Sequence, residues 1–226
     1  MADPGRTPRS RPARTATLGL TVVLGVAAGS PVQGQGVPFD TASLAHGPSA
    51  RACMLMERTI FQVDVLTLDL RFGPETAERL QRQLERGAPR DSLARTAMES
   101  RNVFARLEFL RDLGMDRFLD GVRADLRTTV RAGLIDQETF EEVSTGLPRW
   151  YGFLEERGVR EGDQVLYRIR GDTLVSGYRS AQGEMLLQQT DVGPERRLSV
   201  LGSYLVEGSS FRERLLDSLM DRDGGC

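Results

Sequence analysis

The segment from Thr59 to Phe72 constrains the fold of this chain most, because it alternates apolar and polar residues in two opposite phases. The first phase runs as far as Val65, and the second begins at Leu66. A period of two is typical of a β-strand that buries one face. The change of phase predicts a β-bulge near Val65–Leu66, and Gly73–Pro74 then ends the strand.

The rest of the chain reads as groups of helices and strands. The periodicity predicts helices over 75–86, 91–98 and 116–132, a strand over 102–110, and a helix from Asp136 that Gly146 and Pro148 interrupt. Alternation predicts strands around 165–169, 173–178 and 185–189. The segment 198–205 is ambiguous between strand and helix. A capping box at Ser210 and Glu213 predicts a final helix. Because helices and strands are segregated, the pattern predicts an α+β fold with an antiparallel or mixed sheet.

The first 34 residues have the features of a signal peptide. Four arginines precede an apolar run of about 14 residues, from Thr15 to Ala28, which is shorter than the roughly 20 residues of a membrane-spanning helix. Small residues permit cleavage before Gln35, or earlier after Gly29. We therefore predict a signal peptide over 1–34 and export to the periplasm or the exterior, with no membrane span after cleavage. A flexible entry arm over 35–51, one domain over 52–220 and a frayed tail over 221–226 complete the predicted organisation.

Composition excludes several classes of function. After residues 1–34 the chain has five more acidic than basic residues, which disfavours binding to nucleic acid. It contains no lysine, so Schiff-base chemistry and a P-loop lysine are excluded. Its one histidine, His46, lies in the predicted arm, where a Ser–His–acid triad has no rigid support. We therefore predict neither a cofactor nor a metal site, since zinc would need His46 together with Cys53 and Cys226 near the chain ends.

The two cysteines leave three alternatives open. Cys53 and Cys226 could pair in an oxidising compartment and join the two ends of the domain. Cys226 could instead pair between molecules, or stay free in a frayed tail. The sequence also leaves the oligomeric state open.

Three charged residues in or just before the first predicted strand are candidates for a binding site. Asp64 lies within an apolar strand, where a charge is costly unless it is paired or faces solvent. Arg58 precedes it, and Arg51 lies slightly further back. An arginine at the mouth of an apolar cavity suits a carboxylate or enolate ligand. The alternative is an ordinary salt bridge on a half-exposed strand.

Five segments of the chain carry a family resemblance through their order and spacing. They are RTIFQVDVLTLDL (Arg58–Leu70), LEFLRDL (Leu107–Leu113), FLDGVRADL (Phe118–Leu126), GDQVLYRIRGD (Gly162–Asp172) and SSFRERLL (Ser209–Leu216). Together they resemble the chalcone isomerase-like proteins, in particular their exported bacterial branch, from about Cys53 to Met220. The resemblance implies an antiparallel sheet wrapped around a long central helix, with further helices packed outside and an apolar cleft between. The long helix would be the one predicted over 116–132.

The same resemblance implies which residues line that cleft. The family's strand threonine falls near Asp64, its helix tyrosine near Phe118, and its asparagine seven residues later at Asp125. Its arginine corresponds to Arg51 or Arg58. Phe118 has no hydroxyl with which to stabilise an enolate, so the resemblance implies a cleft without the family's catalytic groups.

We therefore expect an exported, non-catalytic protein that binds an apolar or fatty-acid-like molecule, with Arg51, Arg58, Asp64, Phe118 and Asp125 as the ligand-binding residues. Two alternatives stay open. One is an isomerase, an intramolecular lyase acting on a planar enone. The other is a periplasmic scaffold or partner-binding domain that takes no small ligand.

Overall fold

The computed structural model describes Phe39, residues 49–58 and residues 63–221, with the backbone alone at 57, 58, 63 and 64. By its internal contacts the chain divides between Gln33 and Gly34, and every described residue belongs to the second unit. The predicted signal peptide, most of the predicted arm and the tail from residue 222 lie outside the described residues. So does Cys226, and the three alternatives for the cysteines therefore stay open.

The described strands form one antiparallel sheet of six strands in sequential order. They are Ala50–Arg58 (β1), Val63–Phe72 (β2), Asn102–Phe109 (β3), Gln164–Arg170 (β4), Thr173–Arg179 (β5) and Met185–Val192 (β6). The sequence pattern did not predict β1, which begins two residues before the predicted start of the domain. With helices packed on this sheet, the predicted α+β class is confirmed.

The predicted bulge in β2 is confirmed at Val65. Met56 of β1 pairs with Leu66, and the next residue, Glu57, pairs with Asp64. Val65 is therefore the extra residue in β2. This is why the apolar positions change phase at this point, since one inserted residue turns all later side chains to the other face.

The described part of the chain contains seven helices. They are Pro74–Glu85 (α1), Arg90–Met98 (α2), Met115–Arg131 (α3), Gln137–Trp150 (α4), Leu154–Arg157 (α5), Pro194–Leu205 (α6) and Arg212–Met220 (α7). None of them is long and apolar enough to cross a membrane.

One predicted helix interruption needs correction. The predicted interruption of α4 was wrong, because the helix continues through Gly146 and Pro148. A Cβ at Gly146 would lie 2.5 Å from the Trp150 ring, so this glycine accommodates an aromatic neighbour within the helix. Asp136, at which the helix was predicted to start, is the N-cap of α4, and its carboxylate accepts the Thr139 N–H at 2.8 Å.

The two faces of the sheet differ in character. The inner face presents apolar side chains, among them Leu68, Leu70 and Phe72, which are fully buried in a core to which all seven helices contribute. The outer face alternates with it and carries mainly charged and polar residues. A small second core lies there, where Phe39 packs on Phe104 and Leu166.

The last described helix protects one edge of the sheet. The Cys53 N–H of edge strand β1 donates to Ser218 Oγ at 3.1 Å, and the Arg214 guanidinium donates to the Leu55 carbonyl. Both bonds satisfy backbone groups that β2 cannot reach, and an uncovered row of such groups would invite pairing with another chain. Helix α7 therefore closes the β1 edge.

Helices α3 and α6 approach each other closely at Gly202. A Cβ at this position would lie 2.6 Å from Thr129 Cγ2 and 3.0 Å from Leu134 Cδ1. Thr129 is held in place, because its hydroxyl lies 3.3 Å from Ser203 Oγ and donates to the Asp125 carbonyl. The backbone of α3 lies mainly against α6 and α4, rather than against any strand.

A buried carboxylate ties the turn before β4 to its surroundings. Asp163, which has no exposed surface, accepts bonds from Arg157 Nη1 and Nη2, the Tyr178 hydroxyl and the N–H groups of Arg160 and Ala181, all within 3.1 Å. Burial alone would raise the pKa of Asp163. The bonds from Arg157 and the other donors outweigh burial, and the pKa is lowered.

We predict that Gly202→Ala destabilises the protein and that the same substitution at Gly121 does not. The added methyl at Gly202 meets a buried, hydrogen-bonded threonine, and such overpacking costs about 1–3 kcal/mol. A Cβ at Gly121 of α3 meets no atom within 4 Å, so Gly121→Ala should gain up to about 1 kcal/mol of helix propensity. Urea denaturation of both variants measures the difference, and equal stabilities would show that α3 and α6 can separate freely.

We also predict that Asp163→Asn lowers the free energy of unfolding at pH 7 by about 3–5 kcal/mol, because it breaks a buried ion pair. A lowered carboxyl pKa stabilises the fold above the unfolded value of about 3.9, and that stability is lost as pH falls through the folded pKa. The difference between variant and wild type should therefore shrink at pH 3. Asp120→Asn is the control, since this exposed carboxylate pairs with Arg123 on the surface of α3. A difference that stays constant down to pH 3 would contradict the assignment.

Candidate functional site

A cleft with two lobes lies between α3 and the inner face of the sheet. The larger lobe has a volume of about 340 Å³ and the smaller one about 120 Å³. Ligand-binding pockets generally measure about 300–1,000 Å³, so the larger lobe alone reaches the lower end of that range.

The larger lobe is bounded by the ends of β1 to β3, the turn after β3 and the first turns of α3. Most of its lining is apolar, and its charged residues are two arginines and one aspartate. The lining residues are Met56, Val65, Leu66, Leu107, Phe109, Arg111, Leu113, Arg117, Phe118, Gly121, Val122, Asp125 and Phe211.

The smaller lobe extends between α3, α4, α6 and strands β3 to β6. Apolar side chains again predominate, including Trp150, the only tryptophan in the sequence. The polar lining includes the tyrosines Tyr167 and Tyr204. It also includes Arg196, whose guanidinium is paired with Glu142.

Four residues line both lobes and mark the boundary between them: Leu107, Phe118, Val122 and Asp125. The Phe118 ring is only 7% exposed and packs edge-on against Tyr151, at 4.9 Å between ring centroids, and against Phe109, at 5.9 Å. Phe118 therefore divides the cleft by packing as a core residue.

The tyrosines of the smaller lobe are neutral hydrogen-bonding groups. Burial raises the pKa of Tyr167 to about 12, with a smaller contribution from the charge of Asp125. Burial likewise raises the pKa of Tyr204, which shares a hydrogen bond with Tyr167. Both hydroxyls therefore keep their protons at neutral pH, and they can donate to a ligand but cannot serve as general bases there.

The structure brings together two of the five predicted site residues. Phe118 and Asp125 lie two turns apart on α3, and both line the cleft. Arg58 and Asp64 belong to the residue pairs beside Met56–Leu66, whose side chains line the larger lobe. The side chains of Arg58 and Asp64 lie outside the described residues, so their predicted role stays a prediction.

Arg51 belongs to neither lobe. It lies on the outer face of the sheet, where its Nε donates to Asp69 Oδ1 at 2.9 Å and its Nη2 donates to Oδ2 at 3.1 Å. Burial of Asp69 alone would raise its pKa, but the bonds from Arg51 and Arg71 outweigh burial and lower it. Arg51 therefore forms an ordinary salt bridge, the alternative to a binding role, but its partner is Asp69 and not Asp64.

The sequence pattern missed Arg111, Arg117, Tyr167 and Tyr204 as site residues. The sequence did indicate that Tyr167 faces the core, because it is in step with Val165 and Ile169 in the alternation of a predicted strand. The two arginines gave no comparable signal, because each lies among charged residues near a helix start. Among the residues that the structure describes, no cluster of histidine, cysteine, aspartate and glutamate could hold a metal ion.

No protein-family model matches the chain, and no curated protein matches it. Among solved structures it is similar to the crystal structure of a fatty-acid binding protein of Arabidopsis thaliana, at 14% identity and a TM-score of 0.47. That match covers 76% of this chain and 86% of the plant protein. A similarity of this extent assigns neither a family nor a ligand.

We predict that Phe118→Ala joins the two lobes and destabilises the protein by about 3–5 kcal/mol, because it removes a buried aromatic ring. Phe140→Ala on α4 is the matched control: its ring is half-buried and lines neither lobe, so its loss should cost less. Urea denaturation provides the measurement. A cost for Phe118→Ala no larger than that of the control would contradict its role as a packed divider.

Proposed function

We propose that this chain is a chalcone isomerase-like protein that binds a small apolar or fatty-acid-like molecule in the cleft beside α3. The observation that carries the proposal is the larger lobe, an apolar space of about 340 Å³ next to the longest helix. The resemblance of the sequence segments supports the family, and the proposed export follows from residues 1–34.

The physical basis for binding is the apolar lining. A ligand in the larger lobe would remove both its own surface and that of residues such as Leu66 and Phe109 from water. Each square ångström of buried apolar surface contributes about 25 cal/mol. A small molecule that fills the lobe would therefore be held mainly by the hydrophobic effect, with polar groups deciding its orientation.

The chemistry of the cleft supports binding rather than catalysis. An enone isomerase needs donors placed where the oxyanion develops. Phe118 supplies no such donor at the position where the family resemblance places a tyrosine. Asp125, at the position of the family's asparagine, carries a carboxylate that would oppose a developing negative charge.

A cavity-filling variant tests the proposal. We predict that Gly121→Leu abolishes binding of decan-1-ol, because the new side chain enters the larger lobe at a position where a Cβ meets no atom within 4 Å. Ala124→Leu places the same side chain on an exposed position of α3 outside both lobes and should bind as the wild type does. Titration calorimetry gives the affinities, and Trp150 emission reports whether the smaller lobe is also affected.

Two results would overturn the proposal. One is the absence of binding of decan-1-ol and decanoate to the wild type, which would favour a scaffold without a small ligand. The other is unchanged binding to Gly121→Leu, which would place the ligand elsewhere. Turnover of a chalcone by the wild type would instead establish the isomerase alternative.

A further inference from the structure

We infer that the ligand carries an acidic group and that Arg111 and Arg117 bind this group at the mouth of the larger lobe. The inference rests on the proposed function and adds to it the chemical class of the ligand and its orientation. The wall around the two guanidiniums is largely apolar. A ligand with an apolar body and one anionic end would match this distribution.

The position of the two arginines defines the mouth. Arg111 follows β3 and is half-buried, whereas Arg117 lies in the first turn of α3 and is exposed. Both line the larger lobe, and neither lines the smaller one. The anionic group would therefore stay near solvent while the apolar body enters the protein, which spares the ligand the cost of burying a charge.

In the described part of the chain, neither arginine forms an ion pair with an acidic residue, whereas many other arginines do. The acid next to Arg111 in sequence, Asp112, is already engaged by Arg160 Nη1 at 2.7 Å and by the Glu161 N–H at 2.9 Å. Asp116, next to Arg117, is exposed and lines neither lobe. Both guanidiniums are thus available to a carboxylate, which arginine can bind through two parallel hydrogen bonds.

The helix itself favours the same sign of charge. The larger lobe lies against the first turn of α3, whose N-cap is Gly114 and has no side-chain cap. The positive end of the helix dipole therefore adds to the two arginines. With 17 residues, α3 is long enough for a regular helix dipole to develop at this end.

The inner end of the larger lobe, at its boundary with the smaller lobe, fixes the orientation. Asp125 lies eight residues after Arg117, which corresponds to about 12 Å along the helix axis. Its negative charge also acts on the hydroxyls of Tyr167 and Tyr204. An anionic group would be repelled at this end and attracted at the other, so the ligand enters with its apolar end first.

Two probes with the same ten-carbon chain test this inference: decanoate, which carries the charge, and decan-1-ol, which does not. We expect the wild type to bind decanoate at least tenfold more tightly than decan-1-ol, by titration calorimetry at pH 7. Arg111→Ala combined with Arg117→Ala should weaken decanoate about tenfold or more and weaken decan-1-ol much less, because the uncharged probe loses only contact with the arginine stems. Arg86→Ala combined with Arg95→Ala removes two exposed arginines outside both lobes and is the control for net charge.

The conservative variant Arg117→Lys adds a sharper readout. It keeps the charge but loses the planar fork, so decanoate should bind with an affinity between those of the wild type and Arg117→Ala. Circular dichroism of every variant confirms that the fold is intact before affinities are compared.

The outcomes separate this inference from the proposed function. If the wild type binds decan-1-ol as tightly as decanoate, the cleft binds apolar molecules but the acidic group is not recognised. If the double variant loses affinity for both probes equally, the arginines contribute to the shape of the lobe and do not recognise the charge of the ligand. If the wild type binds neither probe, the proposed function itself fails.

Discussion

The close contact between α3 and α6 at Gly202 is the constraint on which the cleft depends. A helix resting directly on a sheet would fill the space beneath it with its own side chains. Here α3 is held from behind by α6, at a glycine that leaves no room for a methyl group. At its other end the Phe118 ring reaches the aromatic cluster over the sheet. Between these two anchors, Val122 and Asp125 line the cleft, which occupies the space left between α3 and the sheet.

Much of the fold could be predicted from periodicity alone. The β2 bulge at Val65 was visible because a single inserted residue reverses the phase of an otherwise strict alternation. The long helix α3 was visible because its apolar residues recur every four positions over more than three turns. Phe118 and Asp125 were identified as site residues by the resemblance to the chalcone isomerase-like proteins, and their spacing of seven on a helix brings them to the same face.

Other features could not be predicted because they depend on tertiary contacts. Strand β1 places Ala52, Met54 and Met56 on its buried face, and these residue types have little preference for strands, so only pairing with β2 defines it. Helix α4 continues through Gly146 because Trp150 packs over that glycine. The two arginines of the larger lobe are far from Met56 and Leu66 in sequence, and only the folded chain brings them to the same opening.

The edge contact of α7 has a consequence for how the chain acquires its structure. Strand β1 is the first described strand and α7 the last described helix, yet Cys53 and Ser218, 165 residues apart, are bonded directly. Contacts of such separation carry a large loop-closure entropy and slow folding. A nascent chain on the ribosome cannot form this contact until α7 has emerged, so the β1 edge stays open throughout synthesis. For that interval β1 presents an unpaired outer edge, and a chaperone that covers exposed strand edges would bind there.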